Sequence, residues 1–329
     1  MAENHRAQWQ DATVVANQPI AERIHRIELQ MAEPVPVRPG EHLDLELSVA
    51  GETVTRSYSL VDASPDGSVV ALSVFESPTS RGGARVLHSL TPGDQLRVTR
   101  PLQDFPLRVG GSSYVLVAGG IGITAIVGMA DLLRKLGADY RLIYTARSPE
   151  AMAYRDILEQ RHGERLEAYV NSQGQVLDVA QLVASVPPGG ELYMCGPIRL
   201  MDAIRRAWIT SGQDPTNLRY ETFGNSGWFD PEPFVVDVPA WGVSTEVAAD
   251  ESMLEALERA GVDMMFDCRR GECGLCQVEI LGLEGTVDHR DVFYSDRQKN
   301  AADKMCCCVS RAVAGPEGKQ GARLSIEVT

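Results

Sequence analysis

Six of the seven cysteines lie between Cys268 and Cys308, and Cys195 stands apart. Within that stretch, Cys268-Arg-Arg-Gly-Glu-Cys273-Gly-Leu-Cys276 has the spacing Cys-x4-Cys-x2-Cys, and Cys306, Cys307 and Cys308 follow about thirty residues later. Three thiolates on one tight loop and a fourth from a separate segment suit a [2Fe–2S] cluster. Gly271 and Gly274 let the loop curl so that its N–H groups point at sulfur and stabilise an anionic cluster. A structural zinc site favours two Cys-x2-Cys knuckles, and this run contains one. By spacing alone, any of Cys306, Cys307 or Cys308 could be the fourth ligand.

Two turns suit a dinucleotide. Gly119-Gly-Ile-Gly-Ile-Thr124 follows an apolar run and opens a helical pattern. Its glycines, Gly120 and Gly122 about Ile121, allow close approach to a pyrophosphate, whose charge the helix N-terminus favours. Met194-Cys195-Gly196-Pro197 ends a second apolar run, and Arg147-Ser148 follows a third, where it could cap an adenosine ribose or take a 2′-phosphate. Two further elements suit a flavin. In Arg56-Ser57-Tyr58-Ser59-Leu60, the cation and first hydroxyl could meet a phosphate or ribityl group, and Tyr58 and Ser59 a flat heterocycle. Ser80-Arg81-Gly82-Gly83-Ala84 reads as a basic phosphate nest. The six histidines form no metal-ligand pair, and no hydrolase-type acid–base set is present.

The elements that must position these residues fall into three textures. Short alternating β segments (Arg23–Leu29, His42–Ser48, Val69–Phe75, Gln95–Thr99) predict an antiparallel barrel. From Ser113 to Phe223, strands (Tyr114–Ala118, Arg141–Thr145, Glu191–Cys195) alternate with helices (to about Leu136, Met152–Arg161, Ile198–Ser211), which predicts a parallel sheet with crossover helices. After a turn-rich connector, a hairpin (Phe234–Val238, Ser244–Val247), a helix (Ser252–Ala260) and a last strand (Leu324–Val328) frame the cysteines. The expected division is a barrel over residues 1–109, an α/β domain over 110–225, a linker over 226–233 and an α+β domain over 234–329.

Composition excludes several classes. The chain has 31 Lys and Arg against 45 Asp and Glu, a formal charge of −14, which argues against nucleic acid and anionic membranes. No apolar run approaches the roughly 20 residues of a membrane span, and Met1–Asp11 has no apolar signal core. A cytoplasmic protein is expected.

Taken in order, Arg56-Ser-Tyr-Ser, Arg81-Gly-Gly, Gly119-Gly-Ile-Gly-Ile-Thr, Cys195-Gly-Pro and Cys-x4-Cys-x2-Cys resemble the phthalate dioxygenase reductase family and its vanillate demethylase and carnitine monooxygenase relatives. The resemblance runs from about Val14 to Val328 and includes Phe105-Pro-Leu107, Asp288-His-Arg-Asp291 and Cys308-Val-Ser-Arg311. It implies a flavin barrel, an NAD domain and a plant-type ferredoxin domain in one chain, with FMN rather than FAD and NADH rather than NADPH. Arg56 and Arg81–Ala84 would hold the FMN phosphate. Tyr58, Ser59 and the strand Ser73-Val74-Phe75 would edge the ring, with Thr124 and Phe223 closing it. Gly120–Gly122 and Cys195–Pro197 would place the nicotinamide. Ser59 and Cys195 are the catalytic candidates, Cys195 as an orienting group rather than a nucleophile. The fourth cluster ligand in the family begins its last motif, which here is Cys308.

The implied function is a monomeric reductase that passes electrons from NADH through FMN and [2Fe–2S] to a terminal Rieske non-haem iron oxygenase. The alternatives are a self-sufficient flavin and iron–sulfur enzyme reducing a small molecule, and a zinc-bearing binding module. Three residues depart from the family pattern: Ala84 replaces a usual Ser, Ala125 a common Pro, and Glu272 a frequent apolar residue inside the cluster loop. The Glu272 charge is expected to lower the cluster potential.

Overall fold

The computed structural model describes residues 8–78, 80, 82–223, 227–315 and 321–328. The chain forms two compact units, Met1–Gly196 with Ala203–Glu221, and Pro197–Asp202 with Thr222–Thr329.

The first unit opens with the strands β1 (Trp9–Ala21), β2 (Ile24–Met31), β3 (Glu41–Val49), β4 (Glu52–Ala63), β5 (Val69–Phe75), β6 (Gln95–Thr99) and β7 (Leu102–Gln103). They pair in the order β4-β5-β2-β1-β6-β3-β7, and a further β3–β4 pairing closes the expected antiparallel barrel. Alternation does the sorting: Leu43, Leu45 and Leu47 of β3 and Val70, Leu72 and Val74 of β5 turn inward and are buried. The short helix α1 (Gly83–Ser89) packs Leu87 against them. Strand β1 begins before the expected β segments; only Ala12 and Val14 within it are fully buried, so its pattern reads as polar.

The chain continues with β8 (Tyr114–Gly119), α2 (Ile123–Lys135), β9 (Tyr140–Ala146), α3 (Arg155–His162), β10 (Leu166–Val170), α4 (Val179–Ala184), β11 (Glu191–Cys195), α5 (Ile198–Thr210) and β12 (Leu218–Glu221), all in the first unit except the start of α5, up to Asp202. The strands form a parallel sheet in the order β10-β9-β8-β11-β12. The chain winds outward from β8 through β9 to β10, then returns to the other side of β8 with β11. A ligand crevice is therefore expected at the carboxyl ends of β8 and β11, where the winding reverses. Helix α3 starts three residues later than the sequence suggests, because Tyr154 adopts a left-handed backbone at φ 65°.

In the second unit, β13 (Phe234–Val238), β14 (Val243–Val247), β15 (Gln277–Glu284), β17 (Lys304–Cys306) and β19 (Arg323–Val328) form a mixed sheet in the order β14-β13-β19-β15-β17. Strands β16 (Thr286–Asp288) and β18 (Arg311–Val313) pair separately. Helix α6 (Met253–Arg259) begins at a capping box, the Ser252 hydroxyl accepting from Glu255 N–H and the Glu255 carboxylate accepting from Ser252. Its Leu254 and Leu257 pack on Phe234, Met305 and Ile326. Helix α7 (Asp296–Ala301) follows β16. Among the described residues, no helix is long and apolar enough to cross a membrane.

Candidate functional site

The two dinucleotide turns meet. Gly119 ends β8 and Cys195 ends β11, and the two strands are paired neighbours. A Cβ on Gly122 would lie 2.2 Å from the Cys195 carbonyl oxygen and 2.9 Å from the Gly196 nitrogen. One on Gly196 would lie 3.0 Å from Gly119 Cα. Only glycine permits this approach of one turn to the other. Thr124 is buried, and its hydroxyl donates to the Ile121 carbonyl at 2.9 Å, locking the turn into α2. Arg147 and Ser148 follow β9, and the Arg147 carbonyl accepts from Ser172 N–H. Pro197 leads into α5, its carbonyl accepting from Leu200 and Met201.

On the barrel, β4 splits the Arg56–Ser59 run between two faces. A Cβ on Gly83 would sit 3.4 Å from Arg56 Cγ and 3.6 Å from the Tyr58 hydroxyl, so Arg56, Tyr58 and the Gly82-Gly83-Ala84 turn share one side. Gly82 has φ 90°, which suits glycine alone. Ser57 and Ser59 face the other way, as strand alternation requires. The Ser57 hydroxyl donates to Asp44 at 2.5 Å, and that of buried Ser59 lies 3.5 Å from the Glu221 carboxylate. Arg81 lies outside the described residues.

Within Ser73-Val74-Phe75, the Val74 carbonyl bonds to His88 Nε2 at 2.8 Å and the Ser73 hydroxyl to that of Tyr154 at 2.5 Å. Tyr154 also accepts from Arg26 at 3.4 Å. Both contacts fall on the residue that makes the left-handed turn before α3, and the sequence carries no signal for them. A cleft of about 980 Å³ opens beside Tyr154, lined also by Arg26, Asp62, Met152 and Arg155, and none of the expected cofactor residues lines it.

The cysteine loop is built as its spacing suggests. The backbone N–H groups of Arg270, Glu272 and Cys273 all point at the Cys268 sulfur, each at 3.4 Å. Burial pushes the Cys268 thiol pKa up, and those three N–H groups oppose the rise. Gly271 and Gly274 hold φ of 75° and 73°. A Cβ on Gly271 would come within 2.6 Å of Val309 Cγ2, and one on Gly274 within 2.3 Å of the Phe293 ring. Both glycines are therefore required twice, by conformation and by space.

The thiols of Cys306, Cys307 and Cys308 donate to Cys276, which drops the Cys276 pKa far below the ordinary thiol value. That donation, with burial, pushes all three donors up. The Cys308 sulfur also accepts the Gly271 N–H, which opposes its rise, while the charge of Cys268 adds to it. Among the described residues, no three His, Cys, Asp or Glu side chains are gathered closely enough to hold a metal ion. A binuclear cluster asks instead for two thiolates at each iron, and N–H donors aimed at sulfur suit its anionic core.

The Asp288–Asp291 and Cys308–Arg311 motifs fasten the expected linker. Buried Asp288 accepts from Trp228 N–H at 2.9 Å, Arg290 donates to the Phe229 carbonyl at 3.0 Å, and Arg311 donates to the Glu232 carbonyl at 3.0 Å. Residues Gly224–Ser226 of the connector lie outside the described residues. Sequence reasoning also missed Thr222. Its N–H and its hydroxyl each lie 2.9 Å from Glu272 Oε1, inside the cysteine loop.

Residues 237–313 match the family model for the 2Fe-2S iron-sulfur cluster binding domain. The chain is similar to the carnitine monooxygenase reductase subunit of Acinetobacter pittii, 33% identical over 83% of this chain and 88% of the relative. It is also similar to the heme-dependent oxidative N-demethylase beta subunit of Ectopseudomonas mendocina, 37% identical over 84% of this chain and 87% of the relative. Among solved structures, phthalate dioxygenase reductase, described as a modular structure for electron transfer from pyridine nucleotides to [2Fe–2S], superposes with a TM-score of 0.72. That match is 29% identical and covers 97% of this chain and 98% of the other.

Proposed function

The chain belongs to the phthalate dioxygenase reductase family of oxygenase reductases, and on that premise we propose that it passes electrons from NADH by way of FMN and [2Fe–2S] to a Rieske-type non-haem iron oxygenase. It is a pyridine-nucleotide-dependent flavin and iron–sulfur oxidoreductase, and its partner is an oxygenase component. The observation that best supports the reading is the Cys268 sulfur ringed by three backbone N–H groups, with Cys308 reached by a fourth from the same loop.

When bound, the flavin accepts the coenzyme's electrons as a pair and the cluster hands them on singly. The protein supplies position. Arg56 and the Arg81–Ala84 turn would hold the FMN phosphate, while Tyr58, Ser59 and Ser73–Phe75 would border the ring and Thr124 and Phe223 cover it. Gly120, Ile121 and Gly122, with Cys195, Gly196 and Pro197, would seat the nicotinamide, and Arg147 and Ser148 the ribose. Cys195 orients the nicotinamide. Cys268, Cys273, Cys276 and Cys308 would ligate the cluster. Barrel strand and nucleotide sheet are tied in one unit by Ser59–Glu221 and Ser73–Tyr154, which favours a fixed approach of coenzyme to flavin.

The name of the Ectopseudomonas relative favours a second acceptor, a haem-dependent oxidative demethylase component. NADH-driven turnover with a purified Rieske oxygenase, set against such a demethylase component, decides between them. Turnover of a small molecule with neither present would overturn the reductase reading, and the mass of the extracted flavin separates FMN from FAD. The reading further takes the protein as a cytoplasmic monomer; a solution mass of twice 35.8 kDa contradicts the second part of that.

A further inference from the structure

Glu272 does two things at once. Its backbone N–H faces the Cys268 sulfur at 3.4 Å, and its carboxylate Oε1 accepts from the Thr222 N–H and lies 2.9 Å from the Thr222 hydroxyl. That hydroxyl also lies 2.8 Å from the Arg270 carbonyl, so its one proton is shared between two acceptors of the same loop. Thr222 is only 3% exposed. Bonds from a buried N–H to a carboxylate are among the stronger ones a loop can make. Along the chain, Thr222 is the first residue after β12, and it directly precedes Phe223.

We propose that Glu272 is a positioning residue: its carboxylate clasps Thr222 and thereby holds the cysteine loop in the form in which its N–H groups face the Cys268 sulfur. The inference rests on the reductase reading above. The clasp contributes no electron or proton. It restrains a loop whose displacement changes the distance an electron must cross to reach the cluster. The clasp depends on the acceptor oxygen; the charge acts separately, on the cluster potential.

The test uses the holoenzyme as Glu272→Ala, Glu272→Gln, Thr222→Val and Thr222→Ser. Amide hydrogen exchange is read on peptides spanning residues 218–223, and rapid-mixing absorbance follows flavin and cluster reduction separately. Glu272→Ala and Thr222→Val are expected to speed exchange in those peptides and to slow cluster reduction about tenfold, with the NADH-to-flavin step unchanged. Glu272→Gln and Thr222→Ser keep an acceptor or a hydroxyl and are expected to stay within about twofold of the parent in both. Unchanged exchange and cluster reduction in Glu272→Ala overturns the proposal. So does a Glu272→Gln variant as slow as Glu272→Ala, because the charge would then be the active property. A parent protein without iron or flavin would instead sink the reductase reading and leave the exchange arm readable on its own.

Discussion

The cysteine loop and the two glycine turns are built by opposite means. At the loop, side chains would be the ligands and the backbone supports them: three N–H groups serve the Cys268 sulfur, and Gly271 and Gly274 clear space for Val309 and Phe293. At the turns the backbone itself would be the binding surface. Gly122 and Gly196 are there because any side chain would push Cys195 and Gly119 away. A side-chain site should therefore fail when one atom is changed, whereas a backbone site should fail when one atom is added.

The sharpest way to break this comparison is at sulfur. Cys273→Ser should lose the cluster iron and lower NADH-driven reduction of an external one-electron acceptor at least about a hundredfold, while NADH still bleaches the flavin. Cys308→Ser should behave likewise. Cys307→Ala should retain its iron, at a packing loss of about 1–3 kcal/mol read by thermal unfolding. Iron analysis on the three variants checks this.

Arg56→Ala comes next. A hydrogen bond to a charged group contributes about 1.5–3 kcal/mol, so flavin affinity should fall roughly tenfold to hundredfold, measured by fluorescence on release. Gly122→Ala adds the atom that the turns exclude. Overpacking of this kind costs about 1–3 kcal/mol, and the expected result is an NADH KM raised about tenfold with normal flavin content. Ala84→Ser should have the smallest effect. It supplies a hydroxyl beside the Gly82-Gly83 turn and should tighten flavin binding by no more than about fivefold, near 1 kcal/mol.

The same contrast explains what was legible in the sequence. Cysteine spacing is local and chemically specific, so the loop could be read directly, and so could the helix within Ser252–Ala260 and the strand at Glu191–Cys195. The crevice could be read because glycine-rich turns follow apolar runs, although its location depends on β8 and β11 becoming neighbours. Features that pair distant, ordinary residues left no local trace. Thr222 and Glu272 are 50 positions apart, and neither residue type suggests the other. Tyr154 appears as an unremarked residue within an expected helix until its hydroxyl is seen on Ser73. The alternation of Arg56, Ser57, Tyr58 and Ser59 between two faces is legible from the strand period, but the partners of the two serines, Asp44 and Glu221, are not.

The central claim is that electrons from the reduced coenzyme leave this chain through iron held by four cysteines. Anaerobic addition of NADH, followed by electron paramagnetic resonance at low temperature, tests it most directly. The account predicts that the parent protein develops a reduced [2Fe–2S] signal at the expense of its visible iron–sulfur absorbance, and that Cys273→Ser bleaches its flavin without any such signal. An iron-free parent, or a Cys273→Ser protein that still feeds an oxygenase at the parental rate, would contradict it.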